Sequence, residues 1–344
     1  MLFIRLFILL VPLSSLAKLP EMQTKQALNN IRFLSNDGKY TYFQQNGKLF
    51  LSTNYSSSTL KEGEDSTSYL IFGTPTRKTL IVEEEEDFQR NLSPIKTTSL
   101  YSIKYGGDKL EKVAEGLFLS LNLEDTWLTY LDPRTKMIKA RSLNSKQPEI
   151  SVQLKNKINP FFRPQAIMPT KDTLFYTDIN SKGSMALLMY SFFDKKFTTV
   201  YKSRFTGMNL KFCIQDDNIY LGEFSFAEAD HGSSIFKIPL YSNKDFNTIT
   251  QIYSSQLNDI GNIVCSKENL YFVKTLDENK SLNTKKTEVA KIELKENKLS
   301  ILTDLRYVTN IINMDGTILV PFREKYFVAE GKSRLNDDKL IKDN

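Results

Sequence analysis

Histidine is all but missing from this chain: His231 is the single one in 344 residues. That excludes His-rich metal sites and the two-histidine, one-carboxylate iron site. A Ser-His-Asp triad would have to run through His231. His231 lies in Ala229-Asp230-His231-Gly232, which reads as a polar loop tip beside a turn glycine. A proton shuttle with Asp230 is the sharper alternative, but adjacent residues point in different directions. No Gly-x-Ser-x-Gly elbow occurs, so a hydrolase nucleophile of that type is excluded. Positive charge is never concentrated. The formal charge is +6, and no block of five like positive charges exists, so no nucleic-acid footprint is expected.

Long apolar runs are missing too. The one candidate is N-terminal: Arg5, then a short apolar stretch over 6–13, then Ser15-Leu16-Ala17 with small residues at the −3 and −1 positions. This reads as a signal peptide over 1–17, cut before Lys18. It is too short to span a bilayer, which takes about 20 residues. No cysteine lies near the cut, so lipid attachment there is excluded. The mature chain is expected to be exported, periplasmic or extracellular, with no stable membrane insertion.

What is abundant is aromatic: 16 Tyr and 23 Phe, mostly in short runs with β-branched residues. Such runs favour strands. They fall into seven repeats of about 40 to 50 residues, the period of four-stranded propeller blades. The first covers 31–34, 40–44, 48–53 and an edge near Ser58. The second uses 69–72, 79–83, 99–105 and 110–114. The third uses 118–123, 127–131, 137–143 and 150–154. The fourth uses 165–168, 173–178, 185–192 and 197–201. The fifth uses 209–214, 218–226, 234–241 and 248–253. The sixth uses 262–265, 269–275, 288–294 and 299–302. The seventh uses 308–313, 317–322 and 325–329 and lacks a fourth strand, which 23–28 would supply as a clasp. Turn pairs such as Asp37-Gly38, Asn46-Gly47 and Asp315-Gly316 separate strands. The expected fold is therefore all-β: a β-propeller of seven four-stranded blades over 18–331, with a charged tail over 332–344. A large β-sandwich is the competing architecture, but it would not require the repeated spacing.

Cysteine is scarce: only Cys213 and Cys265. Each falls in the first strand of its own repeat, and those repeats adjoin. One disulfide is open to an exported protein. The two positions differ by one residue relative to Asn218-Ile219-Tyr220 and Asn269-Leu270-Tyr271. On that count the expectation is two buried apolar thiols.

The segment Ser35-Asn36-Asp37-Gly38-Lys39-Tyr40-Thr41-Tyr42-Phe43, followed by Gly47-Lys48-Leu49-Phe50-Leu51, resembles the repeat of TolB-like propellers. The same repeat occurs in the propeller halves of prolyl-oligopeptidase-type peptidases. Weaker copies are Lys171-Asp172-Thr173-Leu174-Phe175-Tyr176-Thr177-Asp178 and Asn313-Met314-Asp315-Gly316-Thr317-Ile318-Leu319-Val320. Asn36 stands where the repeat usually has proline. The resemblance covers most of the chain, implies the propeller fold and often a periplasmic location, and carries no function with it.

Glu83-Glu84-Glu85-Glu86-Asp87 is the densest charge cluster. It reads as a solvated hairpin extension, since it lacks the spacing of a dedicated Ca²⁺ loop. Long insertions over 84–98, 227–233 and 276–287 fall on the face that also carries the links between repeats. Loops on a rigid scaffold commonly carry recognition. The links hold Lys155, Lys157, Arg163, Lys202, Arg204 and Arg306, with Phe161, Phe162, Phe205 and Tyr307 beside them. Cations near aromatics suit an anionic or carbohydrate-like ligand or a partner protein. The binding candidates are Lys157, Arg163, Lys202, Arg204, Arg306 and Tyr307. Ordinary surface charge, with aromatics packed between repeats, is the bland alternative.

Asn54, Asn91 and Asn279 begin glycosylation patterns that count only in a secreting eukaryote. The functional expectation is a non-enzymatic exported scaffold binding a protein or cell-envelope polymer, without cofactor, metal or catalytic residues. The rival is a carboxylate-based, Ca²⁺-assisted hydrolase, lyase or lactonase using Glu85, Asp132, Asp178 and Asp230. A spacer role in an envelope assembly is the third reading.

Overall fold

Runs such as Thr173-Leu174-Phe175-Tyr176-Thr177-Asp178-Ile179 combine β-branched and aromatic residues between tight turns, and they form strands that pair with their neighbours in sequence. A computed structural model describes residues 32–330, except 37–39, 46–47, 54–56, 64–67, 74–78, 86–97, 123–125, 155–163, 226–231, 241–247, 277–285 and a few single or paired positions in loops and turns. The segments read as signal peptide, clasp strand and tail lie outside the described residues, as do Asp230, His231 and the three glycosylation asparagines.

The described strands make seven antiparallel sheets, each a meander in chain order. The first holds β1 to β4 (Arg32–Asn36, Tyr40–Gln45, Lys48–Thr53, Ser57–Glu62). The second holds β5 to β8 (Ser68–Gly73, Thr79–Glu85, Ser99–Lys104, Glu111–Glu115). The third holds β9 to β12 (Leu117–Leu121, Trp127–Asp132, Met137–Ser142, Ile150–Gln153). The fourth holds β13 to β16 (Ala166–Thr170, Thr173–Ile179, Met185–Ser191, Lys196–Lys202). The fifth holds β17 to β20 (Met208–Gln215, Asn218–Ser225, Ser233–Pro239, Thr250–Ser255). The sixth holds β21 to β24 (Ile263–Ser266, Asn269–Thr275, Thr287–Glu293, Lys298–Ile301). The seventh holds β25 to β27 (Ile312–Met314, Thr317–Phe322, Lys325–Glu330), three strands among the described residues. The first sheet's outer strand, expected only as an edge near Ser58, is six residues long. Four-stranded meanders of this kind resemble propeller blades.

The core is divided among the seams between consecutive sheets. Tyr42, Leu49, Leu80 and Val82 close the first seam, and Phe118, Leu128 and Tyr130 meet Ile81 and Leu100 in the second. Further seams follow in order, to Tyr271 and Val273 against Ile318 and Val320 in the sixth. The second strand of a sheet is apolar on both sides because it faces two seams. In β10, Leu128 and Tyr130 pack toward the second sheet, and Trp127 and Leu131 toward the fourth.

Side-chain amides tie one sheet to the next. Gln44 Oε1 accepts the Tyr69 N–H at 3.0 Å. Gln165 clasps Phe212, taking its N–H at 2.8 Å and donating to its carbonyl at 2.5 Å. Asn262 donates to the Ile311 carbonyl at 3.0 Å. Each engages backbone groups in or just before the first strand of the next sheet.

The cysteines correct the sequence reading. Cys213 and Cys265 form a disulfide with Cα atoms 5.8 Å apart. Their one-residue offset, which argued against pairing, is what a seam requires. Side chains along a strand alternate between faces. Phe212, Ile219 and Leu221 face the fourth sheet, while Cys213 and Tyr220 face the sixth. Cys265, Leu270 and Phe272 face back toward the fifth. An odd offset puts the two sulfurs on opposing faces, and those faces meet.

Candidate functional site

The link leaving the fourth sheet is built on Ser203. Its N–H donates to the Met185 carbonyl at 2.9 Å. Its hydroxyl donates to the Phe205 carbonyl at 3.0 Å and accepts the Phe205 N–H at 3.3 Å. Serine closes such local turns readily. Ser203 is buried, whereas Lys202, Arg204 and Phe205 around it are exposed. Phe205 is 44% exposed, well outside the buried core that the bland reading of these aromatics would expect.

Tyr307, in the link between the sixth and seventh sheets, is 56% exposed. Its φ is 63°, a left-handed conformation that a bulky side chain rarely adopts. Both flanks pin it there. Val308 is fully buried, and its carbonyl accepts the Thr287 hydroxyl. The Leu305 N–H donates to Thr303 Oγ1 at 3.0 Å. Of the predicted binding residues, Lys202 and Arg204 share one link and Tyr307 belongs to another. Lys157, Arg163 and Arg306 lie outside the described residues, with Lys155, Phe161 and Phe162.

The acidic run is a second correction. The strand expected to end at Glu83 continues to Glu85, and Glu83 and Glu84 are buried, at 0% and 9% exposure, instead of forming a solvated extension. Their burial is matched by donors. Thr98 Oγ1 donates to Glu83 at 3.2 Å. Tyr101 donates to Glu84 Oε2 at 2.8 Å, and the Lys61 ammonium lies 3.4 Å from Oε1 and 4.6 Å above the Tyr101 ring. Burial pulls the Lys61 pKa down, but the Tyr101 hydrogen bond and the Glu84 charge outweigh it and hold it above the ordinary value.

The carboxylates named for an enzyme are engaged locally. Asp132 lies 2.9 Å from the Lys139 ammonium and caps the turn N–H groups of Arg134 and Thr135. Burial works against its charge, yet these partners hold it below the usual carboxylate range. Asp178 is buried and accepts the Ile179 N–H at 2.8 Å. Among the described residues, no group of three His, Cys, Asp or Glu side chains could hold a metal ion.

Sequence reasoning missed Glu223. It is 7% exposed, faces the seam between the fourth and fifth sheets, and accepts the Tyr201 hydroxyl at 2.7 Å through Oε2. Burial first, then this hydrogen bond and the carboxylate's charge, push the Tyr201 phenol well above its ordinary range. A signal was present. Glu84, Asp132, Asp178 and Glu223 are each the sixth residue of the second strand in four successive sheets. An acid recurring at one register position of an otherwise apolar strand marks a shared end of the seams.

No protein-family model matches the sequence, and no curated protein matches it. Solved structures do. A prolyl endopeptidase aligns over 87% of this chain and 49% of its own, at 11% identity and a TM-score of 0.58. Prolyl oligopeptidase B from Galerina marginata aligns over 88% of this chain and 51% of its own, at 12% identity and a TM-score of 0.55. A TolB-type protein from Agrobacterium tumefaciens aligns over 65% and 80%, at 11% identity and a TM-score of 0.38. The chain spans about half the length of the peptidase chains. At these identities the likeness concerns the fold. The class it defines is an all-β protein of repeated, blade-like sheets, structurally similar to about half the length of prolyl-oligopeptidase chains.

Proposed function

We propose that the seven sheets close into a seven-bladed β-propeller over 18–331, and that the chain is an exported scaffold whose link-bearing face holds a protein or cell-envelope polymer. The reading assigns it no nucleic-acid partner, cofactor or chemistry of its own. The carrying observation is the link at Ser203, a buried anchor that presents Lys202, Arg204 and Phe205 to solvent. A rigid base with exposed cationic and aromatic groups suits recognition. Lys157, Arg163, Arg306 and Tyr307 belong to the same proposed surface.

Export after removal of 1–17 is supported by the Cys213–Cys265 disulfide, since such bonds persist in oxidising compartments. Among the described residues no helix is long and apolar enough to cross a membrane. The enzyme reading loses support because Asp132 is committed to its turn and to Lys139.

The test is capture from the native envelope with the full chain as bait, then repetition with Arg204→Ala and Tyr307→Ala. Loss of the captured partner in these variants, with folding unchanged by circular dichroism, supports the reading. Equal capture by wild type and both variants overturns it.

A further inference from the structure

A carboxylate taken out of water needs a donor for each oxygen, because an unmatched charged group keeps its full desolvation cost. The neighbouring seam shows the complete arrangement. Asp259 is buried, with Oδ2 accepting the Tyr253 hydroxyl at 2.7 Å and Oδ1 the Thr275 N–H at 2.8 Å. Glu84 likewise has Tyr101 on one oxygen and Lys61 on the other.

Glu223 has only half of this. Tyr201 fixes Oε2, while Oε1 is out of solvent and accepts no hydrogen bond from the described residues. Arg204 lies close enough to act on the Tyr201 hydroxyl through its charge, yet among the described residues neither it nor Lys202 forms an ion pair with Glu223. The surroundings are aromatic: the Tyr201 ring packs on Phe236 with centroids 5.2 Å apart, and Phe205 is exposed on the link beyond. A fixed carboxylate oxygen beside aromatic rings is the environment that stabilises an organic cation. Ca²⁺ or Mg²⁺ fits less well, since either takes six or more oxygens.

We infer that the seam between the fourth and fifth sheets is a half-built cation site, completed when a protein partner inserts the guanidinium or ammonium of an Arg or Lys side chain beside Glu223 Oε1. The oxygen lies within the seam, so a long, thin side chain suits it better than a flat surface. Because the occupant belongs to the scaffold's partner, the inference rests on the binding reading above.

The test titrates the full chain with Nα-acetyl-arginine amide, Nα-acetyl-lysine amide and, as the neutral isostere of arginine, Nα-acetyl-citrulline amide, followed by NMR shifts and thermal stabilisation. One cationic amide should bind about tenfold more tightly than the citrulline amide, the worth of a single charge-assisted hydrogen bond. Glu223→Gln should remove that preference. If Glu223→Gln does not fold, Tyr201→Phe, which keeps the carboxylate, should retain the preference. Binding of both cationic amides no tighter than the citrulline amide overturns the inference, as does a preference that survives Glu223→Gln. Partner capture lost with Arg204→Ala but unchanged with Glu223→Gln overturns it and leaves the scaffold reading standing. Capture unchanged in every variant overturns the scaffold reading, while the amide titration still reads the seam.

Discussion

The Tyr253 hydroxyl lies 2.7 Å from Asp259 Oδ2, joining the outer strand of the fifth sheet to the link that follows it. Burial, and then the Asp259 charge and hydrogen bond, push the Tyr253 phenol well above its ordinary 10.0. Tyr201 is raised in the same way against Glu223. The fold favours the neutral phenol, so this contribution is complete below about pH 10 and is lost as pH rises through the higher folded value. The urea midpoint should be insensitive to these groups from neutrality to about pH 10 and fall beyond it. Tyr253→Phe should make that fall shallower. An identical alkaline profile in wild type and variant would show that Tyr253 does not titrate with unfolding.

Gly222 sits where the fifth and sixth sheets come closest. A Cβ there would overlap the Phe224 ring and lie 2.7 Å from Ile263 Cδ1. Phe224 and Ile263 are buried and cannot retreat to solvent. Gly222→Ala should cost about 1–3 kcal/mol, as overpacking does. Gly183→Ala is the control: nothing lies within 4 Å of its Cβ, and only the left-handed backbone opposes it. That change should cost about 1–2 kcal/mol, from the backbone alone. Urea denaturation of the two variants settles the order.

Replacing both cysteines with serine should cost about 2–4 kcal/mol, because the disulfide closes a long loop in the unfolded chain. Reductant should lower the wild-type urea midpoint toward that of the double variant and leave the variant unmoved. Two reactive thiols per chain in the denatured, unreduced protein would rule out the bond.

Tyr307 holds a conformation that costs a bulky residue about 1–2 kcal/mol. Asparagine tolerates it without glycine's loss of unfolded-state restriction. Tyr307→Asn should therefore raise stability by about 0.5–1 kcal/mol while weakening partner capture. A variant that is no more stable than wild type in urea would show that the strain is relieved elsewhere.

The strands were legible because their causes are local. Period-two patterning and turn pairs act over a few residues, and β14, β18 and β22 start at the expected Thr173, Asn218 and Asn269. What crosses a seam was not legible. The Cys213 and Cys265 offset has one meaning within a sheet and the opposite meaning between two facing sheets. Glu83 and Glu84 read as solvated because donors such as Lys61 and Thr98 are distant in sequence. Glu223 passed unnoticed in the sequence, and only the strand register aligns it with Glu84 and Asp178. Lys202, Arg204 and Tyr307 could be named as link residues, but the Ser203 anchor and the left-handed Tyr307 backbone arise from contacts made only in the folded chain.

The amides of Gln44, Gln165 and Asn262 all reach toward the next sheet in the chain. The molecule therefore has a direction that its repeated sheets conceal. Cutting the chain after the fourth sheet leaves the Gln165 side chain free to turn to water. Cutting it before the fifth leaves the main-chain N–H and carbonyl of Phe212 without Gln165, and a strand cannot rotate them away. The two halves of a severed chain are thus unequal: the leading fragment can hide its break, and the trailing fragment carries an adhesive edge.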